Sequence, residues 1–156
     1  MELQFIKMQG LGNDYVYVDT AVQEISDIDE AALARAISAR RFSVGADGLI
    51  VIDRCPDADV RMRMYNADGS RGEVCGNGLR CVAKYCRDAG LVTGDTVTVL
   101  TDAGVRRARI LSGTGRTAVV EVEMGRVERI PERIPVAGRD HRFHLTAGDR
   151  TFYLFA

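Results

Sequence analysis

The chain has 156 residues, of which 46% are apolar and 28% charged, and its formal charge is −1. That length and mixture suffice for one ordinary domain with a buried core. The near-neutral balance gives no electrostatic case for a nucleic acid or an anionic membrane surface, and no apolar run approaches the ~20 residues that span a bilayer.

Near the start, Leu3, Phe5 and Lys7 alternate with Gln4, Ile6 and Met8, which predicts a strand and not a signal peptide. The expected compartment is therefore the cytoplasm, where Cys55, Cys75, Cys81 and Cys86 stay reduced. Gly10-Leu11-Gly12-Asn13-Asp14 breaks the strand, and Tyr15 to Asp19 resume it as the second arm of a hairpin. Ser26 or Asp27 can cap a helix with Asp29 and Glu30 in its first turn. Leu33, Ala36 and Ile37 follow helical spacing, and Arg40 and Arg41 suit the negative end of the helix dipole. After Gly45-Ala46-Asp47-Gly48, Leu49 to Ile52 read as a buried strand, and Cys55-Pro56-Asp57 as a turn.

Val60, Met62 and Met64 alternate with Arg61 and Arg63 and lead into the tight turn Asn66-Ala67-Asp68-Gly69-Ser70. Beyond Cys75, Leu79, Val82, Ala83 and Cys86 fall at i, i+3, i+4 and i+7, with Gly90 as the stop. Cys81 and Tyr85 widen that apolar surface, so this helix suits enclosure by a sheet. From Thr96 the pattern is a meander: Val97 and Val99 before a turn at Asp102-Ala103-Gly104, then Val105 to Leu111, and Ala118 to Met124. Pro131 and Pro135 interrupt it, and the chain closes on His144-Leu145 and on the apolar run from Phe152 to Phe155. With no linker or repeat, the whole of 1–156 reads as a single α+β domain. A final apolar run is either a well-paired strand or a surface that something else covers, since a bare edge templates aggregation.

The densest chemical signal is Cys75-Gly76-Asn77-Gly78 after Asn66 to Ser70: a strand, a glycine-rich turn, then a cysteine at a helix start. Unpaired N–H groups there favour anions, both a thiolate on Cys75 and a carboxylate beside it. Cys75 is thus the candidate nucleophile or base, while Cys55, Cys81 and Cys86 read as packing residues. Metal binding is not expected, because the cysteines lack Cys-x-x-Cys spacing and His141 and His144 are remote from them. The same remoteness weighs against a thiol hydrolase. Most arginines, including Arg106 and Arg107, read as solvated faces; Arg63 and Arg80 are candidates for a substrate carboxylate.

Gly10 to Asp14, Gly45 to Gly48, Asn66 to Ser70 and Cys75 to Cys81 stand in the order and spacing of diaminopimelate epimerase, and the chain resembles that family through about Gly125. Gln9 stands where the family commonly has histidine, and Leu79 where it often has alanine. The resemblance implies a curled, mostly antiparallel sheet around a central helix. It also implies that the chain is the N-terminal half of a two-domain, cofactor-independent enzyme whose second catalytic half is absent from these residues. Two cysteines on opposite faces of the substrate's α-carbon would exchange a proton without pyridoxal phosphate. Cys75 matches one of them, Gly76 and Asn77 would bind the α-carboxylate or α-amino region, and Asn13 and Asn66 match substrate-contacting asparagines. The implied partners are an amino-acid substrate and a C-terminal half, with self-association as another way to cover the bared surface. Alternatives are a proline racemase-like or phenazine-biosynthesis-like isomerase, or a non-catalytic amino-acid-binding module.

Overall fold

The computed structural model describes residues 2–126, 142–147 and 150–155. The chain divides into two compact units, Met1–Met124 and Gly125–Ala156. In the first, β1 (Ile6–Gly10) and β2 (Asn13–Asp19) form the expected hairpin. β1 lies further along the chain than the alternation from Leu3 predicts, because the reversal needs only Leu11 and Gly12, at φ of 56° and 84°. Positive φ at both central residues matches the strand twist in a two-residue turn. Asn13 and Asp14, expected in the break, therefore lie in β2.

α1 (Glu30–Ser38) is capped by Asp29 and not by Ser26 or Asp27; the Asp29 carboxylate accepts the Ala32 N–H at 3.0 Å. Ile25 is buried, and the chain turns on a bond from the Ile28 N–H to the Ile25 carbonyl, which places Ser26 and Asp27 in that turn. The helix ends at Ser38, so Arg40 and Arg41 lie past it and not in its last turn.

β3 (Gly48–Asp53) pairs parallel with β2, with α1 in the crossover, and β4 (Val60–Asn66) returns antiparallel to it. β5 (Arg71–Gly72) is a short addition to β4. α2 (Gly76–Asp88) crosses to β6 (Thr96–Thr101), parallel to β4, and β7 (Gly104–Ser112) and β8 (Val119–Val122) complete an antiparallel meander. The sheet order is β1-β2-β3-β4-β6-β7-β8.

The two-residue period of each strand decides where the helices sit. Tyr15, Tyr17, Ile50, Ile52 and Met62 pack in one core with α2, while Val16, Val18, Leu49 and Val51 pack in another with Ala34 and Ile37 of α1. α2 touches β1, β2, β6, β7 and β8, so the sheet curls around it. Leu79, Val82, Ala83 and Cys86 are fully buried there, each of the larger side chains contributing about 2 kcal/mol through lost apolar exposure. The Leu91 N–H returns to the Cys86 carbonyl at 2.8 Å, closing α2 at Gly90 as its sequence predicts. This part of the chain is α+β, a curled, mostly antiparallel half-barrel around a central helix.

In the second unit β9 (Arg142–Ala147) pairs antiparallel with β10 (Arg150–Phe155), so the apolar run Phe152 to Phe155 belongs to a paired strand. Pro131, Pro135, His141 and Ala156 lie outside the described residues.

Candidate active site

Cys75 is the N-cap of α2, with extended backbone (φ −131°, ψ 113°) and a sulfur that accepts the Gly78 N–H at 3.3 Å. Its carbonyl accepts the Leu79 N–H at 2.8 Å, so the helix proper begins immediately beyond it. Glycine at 78 lets the helix start pack close on β3: a Cβ there would stand 2.7 Å from Cδ1 of the buried Ile50, whose side-chain end would have to shift. The next residues, Gly76 and Asn77, have no intrahelical acceptor for their N–H groups. A half-buried sulfur and two N–H donors with no backbone partner among the described residues thus share the positive end of one helix.

β2 brings Asn13 to this point. Its Oδ1 lies 3.3 Å from Cys75 Sγ and 3.3 Å from Asn77 Nδ2. Its Nδ2 donates to Asp47 Oδ2 at 2.7 Å. Asp47 also accepts the Asp14 N–H at 3.1 Å and Arg40 Nη2 at 2.9 Å. Arg40 pairs with Asp14 as well, at 2.6 Å, and Lys7 lies 3.0 Å from Asp14. The Asn13 hydrogen bond holds the Asp47 carboxyl below the usual range, with the Asp14 N–H and Arg40 adding to it against the cost of burial. Arg40, helped by Lys7, holds Asp14 down to about 2. Both carboxylates are therefore ionised at neutral pH. Burial above all pushes the Tyr15 hydroxyl up to about 12.

The structure thus brings Cys75, Asn13 and Asn77 into one hydrogen-bonded group, with Gly76 in the same helix turn. Asn66 is not joined to them by a hydrogen bond among the described residues. It ends β4, opposite Gly48, and its amide donates to Ser70 Oγ at 2.9 Å. Arg63 does not lie on a solvated face: it donates to Glu30 and to both Asp53 oxygens, at 2.7 and 3.0 Å, tying α1 to the sheet. Arg80 donates to Asn77 Oδ1 and lines a cleft with Lys84 and Arg116.

Cys81 and Cys86 are buried in the α2 core and Cys55 is half-buried. Burial raises the Cys81 thiol and pushes Cys86 up to about 12. Among the described residues no group of three or more His, Cys, Asp or Glu side chains is arranged to hold a metal, and no helix is long and apolar enough to cross a membrane. Reasoning along the sequence missed Asp47, Arg40 and Tyr15. The acidic residue between Ala46 and Gly48 was visible, but not the contact across 34 residues to Asn13.

The description of the diaminopimelate epimerase family matches residues 5–130. This chain belongs to the diaminopimelate epimerase family. It is 51% identical over 134 residues to the diaminopimelate epimerase of Desulfovibrio desulfuricans, an alignment covering 86% of this chain and 46% of that protein. It is 44% identical over 136 residues to that of Moorella thermoacetica, covering 87% and 48% respectively. The chain therefore spans about half the length of the curated relatives it matches. The fold also resembles a crystal structure of a PhzF-family phenazine biosynthesis protein from Bacillus anthracis, with TM-score 0.55 and 19% identity over 77% of this chain and 38% of that one. Cys75, Asn13, Asp47 and Asn77 all fall inside the segment matched to the epimerase family.

Proposed function

We propose that this chain is the N-terminal half of a diaminopimelate epimerase, interconverting LL- and meso-diaminopimelate in the supply of lysine and peptidoglycan precursors. The observation that carries the reading is Cys75 as the N-cap of α2, its sulfur facing Asn13 and the Gly78 N–H. In this reading the thiolate of one cysteine takes the α-proton as the Cα–H bond breaks, leaving the electron pair on Cα. The thiol of a second cysteine, from the complementary half, returns a proton to the opposite face. Cys75 serves one face in each direction of the reaction.

An α-proton is weakly acidic, and without a cofactor to accept the electron pair its removal needs fixed dipoles aimed at the developing charge. The free N–H groups of Gly76 and Asn77 supply such dipoles to the substrate carboxylate. Asn13 and Asn66, at the ends of the two strands that flank β3, contact the rest of the amino acid. Inversion needs a group on each face, so this chain alone is inactive. It pairs with a C-terminal half.

The test is deuterium incorporation at Cα of either diaminopimelate isomer in heavy water, read by mass spectrometry. The chain alone is expected to give none. Adding the C-terminal half should produce exchange that disappears with Cys75→Ala. Exchange by the isolated chain that depends on Cys75 would sink the half-site reading.

A further inference from the structure

The Asn13 amide has two unlike ends, and it is held between an anion and a thiol. Nδ2 faces Asp47 Oδ2 at 2.7 Å, and Oδ1 faces Cys75 Sγ and Asn77 Nδ2, each at 3.3 Å. An ionised carboxylate only accepts hydrogen bonds, and an amide nitrogen only donates them. Turning the amide over would press Oδ1 against Asp47 and set Nδ2 against Asn77 Nδ2. One orientation survives, on grounds of donor and acceptor chemistry alone. Asp47 cannot swing aside, because the Asp14 N–H at 3.1 Å and Arg40 at 2.9 Å hold its two oxygens. The cations nearest the cluster are engaged in turn, Lys7 by Asp14 and Arg80 by Asn77.

The atom presented to Cys75 is therefore an acceptor. It can accept the S–H proton but donates nothing to the sulfur, whereas the Gly78 N–H and the neighbouring Tyr15 hydroxyl are donors to it. We propose that Asp47 is a positioning residue that locks the Asn13 amide with its oxygen toward Cys75, so that Asn13 withholds from the sulfur the hydrogen bond its nitrogen would otherwise donate. Its bearing on turnover, through the acceptor that faces Cys75, rests on the epimerase reading. The lock itself rests on the geometry.

The test uses the whole chain with Asp47→Asn, Asn13→Ala and the two combined, following alkylation of Cys75 by limiting iodoacetamide at neutral pH. An asparagine at 47 can meet either end of the Asn13 amide, so the donor end becomes free to turn to the sulfur. The Asp47→Asn chain is expected to label about tenfold faster than wild type, with a matching rise in ultraviolet thiolate absorbance measured against Cys75→Ser. In the Asn13→Ala background the same substitution should change the rate by less than about twofold, because its effect passes through Asn13. Rates are taken relative to the buried Cys86, so a general loosening that speeds both thiols together counts against the lock. An unchanged or slower Cys75, or an equal effect in both backgrounds, overturns it. Alkylation needs no substrate, so a failed lock and a failed epimerase assignment are told apart.

Discussion

α1 and α2 are both crossovers between parallel strands, and both open on a side chain that accepts the N–H three residues on. In α1 that side chain is Asp29, 3.0 Å from the Ala32 nitrogen; in α2 it is Cys75, 3.3 Å from the Gly78 nitrogen. A carboxylate cap stabilises a helix by about 1 kcal/mol over an inert residue, and sulfur is a weaker acceptor. α1 adds Glu30 to its first turn, whereas α2 has no acidic residue there and carries glycines instead. α1 thus spends its positive end on its own stability, while α2 leaves that end for something else. Where a chain departs from the local rule that it obeys elsewhere, chemistry is the first explanation to examine.

The contrast can be sharpened by giving α2 an oxygen cap. Cys75→Ser, in an enzyme completed with its second half, should lower exchange at Cα by about a thousandfold. Its thermal stability should hold or rise by up to about 1 kcal/mol. Deuterium exchange and thermal melts measure the two, and a variant that lost stability along with activity would erase the distinction between the helices.

A second substitution strikes the strand that serves both helices. A Cβ at Gly48 would lie 2.0 Å from the Tyr65 carbonyl oxygen and 2.9 Å from the Tyr15 ring, so Gly48→Ala must push β4 off β3. We expect a cost of about 3 kcal/mol in urea denaturation, with α1 and α2 losing their packing together. A loss below about 0.5 kcal/mol would show that the strands separate easily.

Asp29→Ala isolates the structural cap. It should cost about 1 kcal/mol and leave the alkylation rate of Cys75 unchanged. Cys75 should be the first thiol labelled in either chain, because Cys81 and Cys86 are buried and their thiols raised by that burial. Early labelling of Cys86 would mean that α2 is far less enclosed than its packing indicates.

The smallest effect belongs to the ion cluster behind the site. Asp14 is held down from its ordinary 3.8 to about 2, foremost by the hydrogen bond from Arg40. A folded value below the unfolded one gives stabilisation that is complete above about pH 4 and lost as pH falls through about 2. Arg40→Met should therefore be less stable than wild type at neutral pH, with the difference closing across that acid window. A difference that persisted unchanged at the acid end would assign Arg40 to packing and not to charge.

Periodicity and turn chemistry carry far in this chain because they are local. The helix after Cys75 is legible from Leu79, Val82, Ala83 and Cys86, its stop from Gly90, and the buried strand from Leu49 to Ile52. The start of α1 is not, because Ser26, Asp27 and Asp29 are all competent caps and the burial of Ile25 chooses among them. At the site, Cys75 is marked by its helix-start setting, and Asn13, Asn66 and Asn77 only by resemblance to a family. Asp47 acts on Asn13, and Arg40 on Asp14 and Asp47, through pairings that exist only once β2 and β3 lie side by side. Such contacts leave no spacing to read.

The wrapping of α2 also bears on how the chain is made. Strands β1 to β5 precede the helix, but β6, β7 and β8, which complete its enclosure, occupy residues 96–122. A nascent chain halted just beyond Asp88 would hold α2 against only part of its cradle, with no β7 or β8 to cover Val82 and its neighbours. Apolar surface bared at that stage is what chaperones bind and what drives misassembly. α2 would then be the last part of this unit to be fully enclosed during synthesis, although its residues emerge well before the strands that enclose it.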